Sequence, residues 1–193
     1  MPRAIHALIC MFAMTMAPPV LADPFWDAVG ADQRGDHAFS LPIYKQLATQ
    51  GDVRAEYRLG QLYESGGGVP LDYVTAISWY KKAAEKGHQG AQYNLGFLYY
   101  QGKGTRLDYV QAAMWWRRAA EQGNPNAQSM LGMMCAEGKG VPQDFVQAHK
   151  WYNLAAAHSV SLAAFKRDEI AKSMTPAQIA EAQRLATEWK PSR

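Results

Sequence analysis

Residues 91–123 read AQYNLGFLYYQGKGTRLDYVQAAMWWRRAAEQG, and a near copy stands 36 residues to either side. AEYRLGQLYESGGGVPLDYVTAISWYKKAAEKG occupies 55–87, and AQSMLGMMCAEGKGVPQDFVQAHKWYNLAAAHS occupies 127–159. Repetition at a fixed period of this size marks a solenoid, in which each unit buries its apolar face against the next. The shared columns are Ala55/Ala91/Ala127, Leu59/Leu95/Leu131, Gly60/Gly96/Gly132, Asp72/Asp108/Asp144, Trp79/Trp115/Trp151 and Ala83/Ala119/Ala155. Gly87 and Gly123 close the first two units.

Each unit divides into two helices. In the first, Ala55, Leu59, Leu62 and Tyr63 follow one another at helical spacing and form a single apolar stripe. Gly60 falls inside that helix, where glycine costs about 1 kcal/mol relative to alanine. Its recurrence as Gly96 and Gly132 predicts close approach of a neighbouring backbone. The second helix places Ala76, Trp79, Tyr80 and Ala83 on one face, large beside small, so that adjacent helices interlock. Between the two lie Gly66-Gly67-Gly68, Gly102 with Gly104, and Gly138 with Gly140, which read as turns. Asp72, Asp108 and Asp144 then stand where an N-cap accepts bonds from free amide N–H groups. Gly87 and Gly123 suit a left-handed C-terminal cap. No stretch has the alternation of a strand, so the fold class is all-α: an α/α solenoid of tandem helix–turn–helix repeats with helical caps.

The run Ala91-Gln92-Tyr93-Asn94-Leu95-Gly96-Phe97-Leu98-Tyr99, then Gly102-Lys103-Gly104, Asp108-Tyr109, Ala112, Trp115-Trp116 and Ala119-Ala120-Glu121-Gln122-Gly123, resembles the Sel1-like repeat family. The resemblance covers about residues 52 to 159. It implies a curved superhelix related to tetratricopeptide arrays, and a usual role as adaptor or scaffold in protein complexes. Some members carry paired cysteines in every unit, are stapled by disulfides and are linked to β-lactam binding. This chain departs from that branch, because the column of Cys135 holds Tyr63 and Tyr99.

The ends are predicted to cap the array. Repeats are assigned to 52–87, 88–123 and 124–159. Residues 23–51 form a lead-in and cap, in which Tyr44, Leu47, Ala48 and Gly51 match Tyr80, Ala83, Ala84 and Gly87 as a lone second helix. Pro42 should kink that helix or delay its start. Asp23 to Gly35 reads as flexible, with Phe25 and Trp26 able to dock. Residues 160–193 form the C-terminal cap, with a degenerate helix from Ser161 to Lys172. Thr175-Pro176-Ala177-Gln178 is a capping box that opens a last helix to about Lys190.

Residues 1–22 read as a secretory signal: Arg3, an apolar stretch from Ala7 to Met16, and Val20-Leu21-Ala22 before Asp23. The apolar run is shorter than the ~20 residues that span a bilayer. Cys10 follows Ile9, which is larger than a lipid-attachment site accepts. The expectation is cleavage between Ala22 and Asp23 and a periplasmic or secreted protein, with no membrane insertion of the mature chain. Cys135 is then its single cysteine, so no internal disulfide forms. The net charge of +3 carries no Lys/Arg run, which argues against a nucleic-acid partner.

Candidate chemistry is thin. Ser78-Trp79-Tyr80-Lys81 spells the Ser-x-x-Lys pattern of penicillin-interacting enzymes, without its companion Ser-Asp-Asn and Lys-Thr-Gly motifs. The glycine loops with Lys103 and Lys139 lack the spacing of a phosphate-binding loop. One aspartate per unit places the three apart, and metal ligands converge. The histidines share no ligand spacing, and most should lie at the surface. Cys135 falls on the inward stripe as a buried, inert thiol. No catalytic, cofactor-binding or metal-binding residue is assigned, and no cofactor is expected.

One surface stands out. Opposite the core stripe, the first helices carry Arg54, Arg58 and Gln61, then Asn94 and Phe97, then Met130 and Met133. These positions differ between units while the core columns hold, as a partner-binding surface requires. The prediction is an exposed apolar patch of Phe97, Met130 and Met133 beside a basic rim of Arg54 and Arg58, on the concave face. It marks a non-enzymatic adaptor that binds another protein or peptide. Two other functions are a β-lactam-binding cell-wall protein or hydrolase, and a regulatory subunit of a membrane sensor or envelope complex.

Overall fold

The computed structural model describes residues 23–192, which form helices joined by turns. The helices are α1 (Pro24–Gln33), α2 (His37–Thr49), α3 (Val53–Ser65), α4 (Tyr73–Glu85), α5 (Gln89–Gln101), α6 (Tyr109–Glu121), α7 (Pro125–Glu137), α8 (Phe145–Ala157), α9 (Ser161–Ala171) and α10 (Pro176–Glu188). The signal sequence expected at residues 1–22 lies outside the described residues. None of the described helices is long and apolar enough to cross a membrane.

Each repeat is an antiparallel pair: α3 with α4, α5 with α6, α7 with α8. Their ends follow the chemistry of the columns. Asp72 accepts the N–H groups of Val74 and Thr75, Asp108 that of Gln111, and Asp144 that of Gln147. The first helices have caps of their own in a second column, Asp52, His88 and Asn124. The loop between helices is closed by a backbone bond from the capping aspartate to the carbonyl of Tyr63, Tyr99 or Cys135, at 2.8–3.0 Å. A backbone role at that column leaves its side chain free to change from Tyr to Cys.

The glycine inside each first helix makes room for a ring, not for a backbone as expected. Tyr80, Trp116 and Tyr152 press against Gly60, Gly96 and Gly132, and a Cβ on Gly96 would sit 2.6 Å from Trp116 Cδ1. Close backbone approach occurs instead in the turns. A Cβ on Gly104 would stand 2.6 Å from the Tyr73 carbonyl carbon, and Gly140 packs in the same way on Tyr109. The two glycine columns therefore do different work: one seats a helix within a repeat, the other seats each turn on the preceding repeat.

The N-terminal cap is more ordered than expected. Residues 24–33 form α1, with Phe25 buried against Tyr44 at 5.9 Å between ring centroids, while Trp26 stays 63% exposed. α2 starts in register with the later second helices because Asp36, one period before Asp72, caps it through Phe39 N–H. Pro42 sits inside α2 without delaying its start; the carbonyl that loses its donor belongs to exposed Ala38. At the other end, α9 packs on α8 and so does α10. The capping box of Thr175 and Gln178 is formed. Trp189 then meets Trp151 edge to face at 6.4 Å, and Ser192 N–H donates to the Glu121 carbonyl at 2.8 Å.

Candidate functional site

A polar column sits under the whole array. Glu56, Gln92 and Gln128 are buried at the same position of successive first helices. Gln92 and Gln128 donate to the carbonyls of Ala84 and Ala120 at the end of the preceding second helix. Those carbonyls belong to the helix terminus, which lacks intrahelical donors. Glu56 instead accepts from Lys86 at 2.7 Å, and Gln92 accepts from Gln122 at 2.7 Å. Apolar periodicity passes over these residues; the 36-residue spacing alone would have revealed them.

On the opposite side of the first helices lie the residues predicted to meet a partner. Phe97, Met130 and Met133 are half-buried and pack onto the core instead of standing out as an exposed patch. Phe97 stacks on Tyr93 at 6.5 Å between ring centroids, and Leu162 and Ile170 of α9 rise beside Met130 and Met133. Met130, Met133 and Ala136 of α7, Tyr152 of α8, and Leu162 and Ile170 of α9 bound a groove of about 260 Å³. Its rim is polar: Glu137 pairs with Lys139 at 2.8 Å and Lys166 with Glu169 at 2.9 Å. α9 is thus a wall of the groove and not its cover.

The expected basic rim is half as basic. Arg54 is bound by Asp23 at 2.7 Å and Asp52 at 2.6 Å, and lies over the Phe25 ring at 4.3 Å. Its charge is taken up by two carboxylates, which the sequence hid because Asp23 is far along the chain. Both carboxyls are held below the usual range, chiefly by the Arg54 bonds. Among the described residues Arg58 bonds only to Gln61 Oε1, at 3.0 Å, and Gln61 in turn donates to Tyr57 OH. Asn94 donates to the Tyr80 hydroxyl, which donates to Glu64, so it belongs to a packed network. The seven residues therefore do not form one patch. Arg58 and Gln61 border clefts near α1, and Met130 and Met133 border the groove near α9.

The remaining candidates resolve simply. Ser78 is exposed on α4 and its hydroxyl donates to the Thr75 carbonyl of its own helix at 2.7 Å; among the described residues no bond joins it to Lys81. Cys135 is buried, and burial raises its thiol above the ordinary value, which disfavours the thiolate. His149 departs from the surface placement expected of most histidines: it is buried, and its Nδ1 has no partner among the described residues. Burial, then Arg167, lowers its pKa below 6.5. Burial, then Arg58, does the same to His88.

A pH dependence follows. The folded chain keeps His149 neutral, so on acidification the unfolded chain takes up the proton first. The stabilisation is complete above 6.5 and is lost as pH falls below it. The urea midpoint should fall between pH 7.5 and 5.5, and His149→Leu should flatten the fall. A midpoint that holds or rises on acidification would contradict this assignment.

Residues 53–88, 90–124 and 125–160 match the Sel1 repeat family. No curated protein matches the chain. A protective antigen of uropathogenic Escherichia coli strains, described as displaying an SLR fold, superposes with a TM-score of 0.77 at 34% identity, over 86% of this chain and 37% of that one. A Sel1 repeat protein from Oxalobacter formigenes superposes with a TM-score of 0.71 at 31% identity, over 74% of this chain and 59% of that one. The chain thus spans between about a third and three fifths of the length of these relatives.

Proposed function

The chain belongs to the Sel1 repeat family, and from that premise we propose that it is a non-enzymatic adaptor of the cell envelope, holding another protein or peptide along its first helices. Sel1 repeat proteins generally mediate protein–protein interaction, and their scaffolds are typically non-enzymatic. The observation that carries the reading is the contrast between columns. Leu59, Leu95 and Leu131 repeat and are buried, whereas Arg58/Asn94/Met130 and Gln61/Phe97/Met133 change in every unit and stay half-exposed. Direct contact between α3 and α5 favours a curve toward the first helices, which would make this the inner face.

A rigid array of stacked helices binds at low ordering cost, because its surface is preorganised. The groove at Met130 and Met133 offers an apolar seat with a polar rim, and methionine adapts to varied side chains. Export follows from the reading of residues 1–22 as a cleaved signal, and places the partner in the periplasm or outside the cell. Control of a membrane sensor would be one form of the same role, differing only in the partner.

The test is capture from a periplasmic extract by the purified protein and by its Met130→Glu/Met133→Glu form. Both substitutions face the groove, so far-ultraviolet circular dichroism should stay helical. The expected result is one abundant partner lost from the double variant. The same partner captured equally by a folded double variant would overturn the placement.

A further inference from the structure

At the α1 end, a second cleft of about 380 Å³ is bounded by Trp26, Tyr57, Arg58, Gln61 and His88, with Phe25 and Arg54 behind them. Its hydrogen-bonding groups are one-sided. His88 Nδ1 accepts the N–H of Ala91 at 3.1 Å, as N-cap of α5. That bond puts the imidazole proton on Nε2. The ring stacks on Tyr57 at 4.3 Å between centroids. Tyr57 OH accepts from Gln61 at 3.0 Å, and its own proton has no acceptor among the described residues. Arg58 spends one N–H on Gln61 Oε1, which is thereby occupied, and makes no salt bridge among the described residues. The two acids bordering the neighbouring cleft are engaged elsewhere, Asp32 by His37 at 2.7 Å and Glu64 by Tyr80. Arg54 is engaged by two carboxylates of its own and is not free to meet another anion.

What remains is a set of donors without acceptors and one guanidinium without a salt bridge among the described residues, beside an indole that is 63% exposed. Gly90 keeps the space open: a Cβ there would lie 3.1 Å from Tyr57 OH and 3.3 Å from His88 Cε1. A single cation with neutral donors matches a singly charged planar anion, which a guanidinium binds through two parallel bonds. A doubly charged phosphate would call for more positive charge than this cleft holds. The flat wall of Trp26 calls for an apolar group beside the anion.

We propose that this cleft binds a carboxylate next to an apolar side chain, Arg58 and Tyr57 taking the oxygens and Trp26 the side chain. The carboxyl terminus of a bound partner is its source. The inference rests on the adaptor reading for that source only. The cleft lies at the opposite end of the array from the Met130/Met133 groove, so the two sites are separable.

The probe is the tripeptide N-acetyl-Ala-Ala-Phe as free acid, titrated into the full protein and followed by the Trp26 indole N–H resonance, assigned with Trp26→Phe. The C-terminal amide of the same tripeptide and 3-phenylpropionate serve as comparisons. The free acid should shift the Trp26 signal saturably, with binding at least tenfold weaker for the amide and for Arg58→Met. Among the described residues Arg58 is bonded only to Gln61, so the variant should keep its helical signal, and Arg58→Lys should recover part of the affinity. Equal binding by the amide, equal binding by folded Arg58→Met, or no shift at all would overturn the site. Equal affinity for 3-phenylpropionate would overturn the peptide terminus as source and leave a small organic acid in its place. If the tripeptide fails while Met130→Glu/Met133→Glu still loses its partner, this site falls and the adaptor reading stands.

Discussion

Trp116→Ala should lower the free energy of unfolding by about 3–5 kcal/mol, the range for removing a large buried aromatic. The ring is fully buried and presses on Gly96, and its Nε1–H donates to the Tyr93 carbonyl at 3.0 Å. Truncation opens a cavity between α5 and α6 and removes the bond that ties the second helix to the first. Gly96→Ala should also destabilise, by about 1–2 kcal/mol, because forced overlap in a packed core outweighs the gain of about 1 kcal/mol in helix propensity. In the Trp116→Ala background the ring is gone and only the propensity term remains. There Gly96→Ala should stabilise. This reversal of sign, read from urea midpoints in a double-mutant cycle, is the diagnostic. An equal loss in both backgrounds would mean that Gly96 serves something other than the ring.

Lys86→Ala should cost about 2 kcal/mol, out of proportion for a half-exposed lysine. Its Nζ lies 2.7 Å from Glu56 Oε1, and the Glu56 side chain is only 4% exposed. Loss of the lysine leaves a buried carboxylate without a counter-charge. Breaking a buried pair costs about 3–5 kcal/mol, and solvent at the lysine reduces that figure. The second repeat supplies the remedy in the same protein, where Gln92 and Gln122 occupy the two positions. Glu56→Gln with Lys86→Gln should therefore stay within about 1 kcal/mol of the parent. The new amide can reach the Ala48 carbonyl as Gln92 reaches Ala84, in place of a carboxylate oxygen that has no partner among the described residues. A double variant no more stable than Lys86→Ala would show that the two columns are not equivalent.

The fold was legible because the chain repeats itself. The capping aspartates, the paired helices, the inward Cys135 and the capping box at Thr175 follow from spacing and local backbone chemistry. What escaped the sequence was of three physical kinds. α1 is out of register with the repeats, so no column announced it. Gly96 signals that something large lies against it, but spacing does not distinguish a backbone from the Trp116 ring. The binding surface depended on long-range partners: Asp23 engages Arg54 across 31 residues, and α9 turns an expected patch into a groove. The His88 donor was hidden for a related reason. Only the N-cap column of Asp52, His88 and Asn124 reveals which imidazole nitrogen is occupied.

The central claim is that the non-repeating positions of the first helices face a partner while the second helices do not. Site-specific photo-crosslinking tests it most directly, with the reactive residue placed in turn at Phe97, at Met133 and at Ser78, the last exposed on α4. The expected result is the same protein joined to positions 97 and 133, and none to 78. A partner joined to 78, with 97 and 133 silent in a folded protein, would contradict it and move the interface to the outer helices.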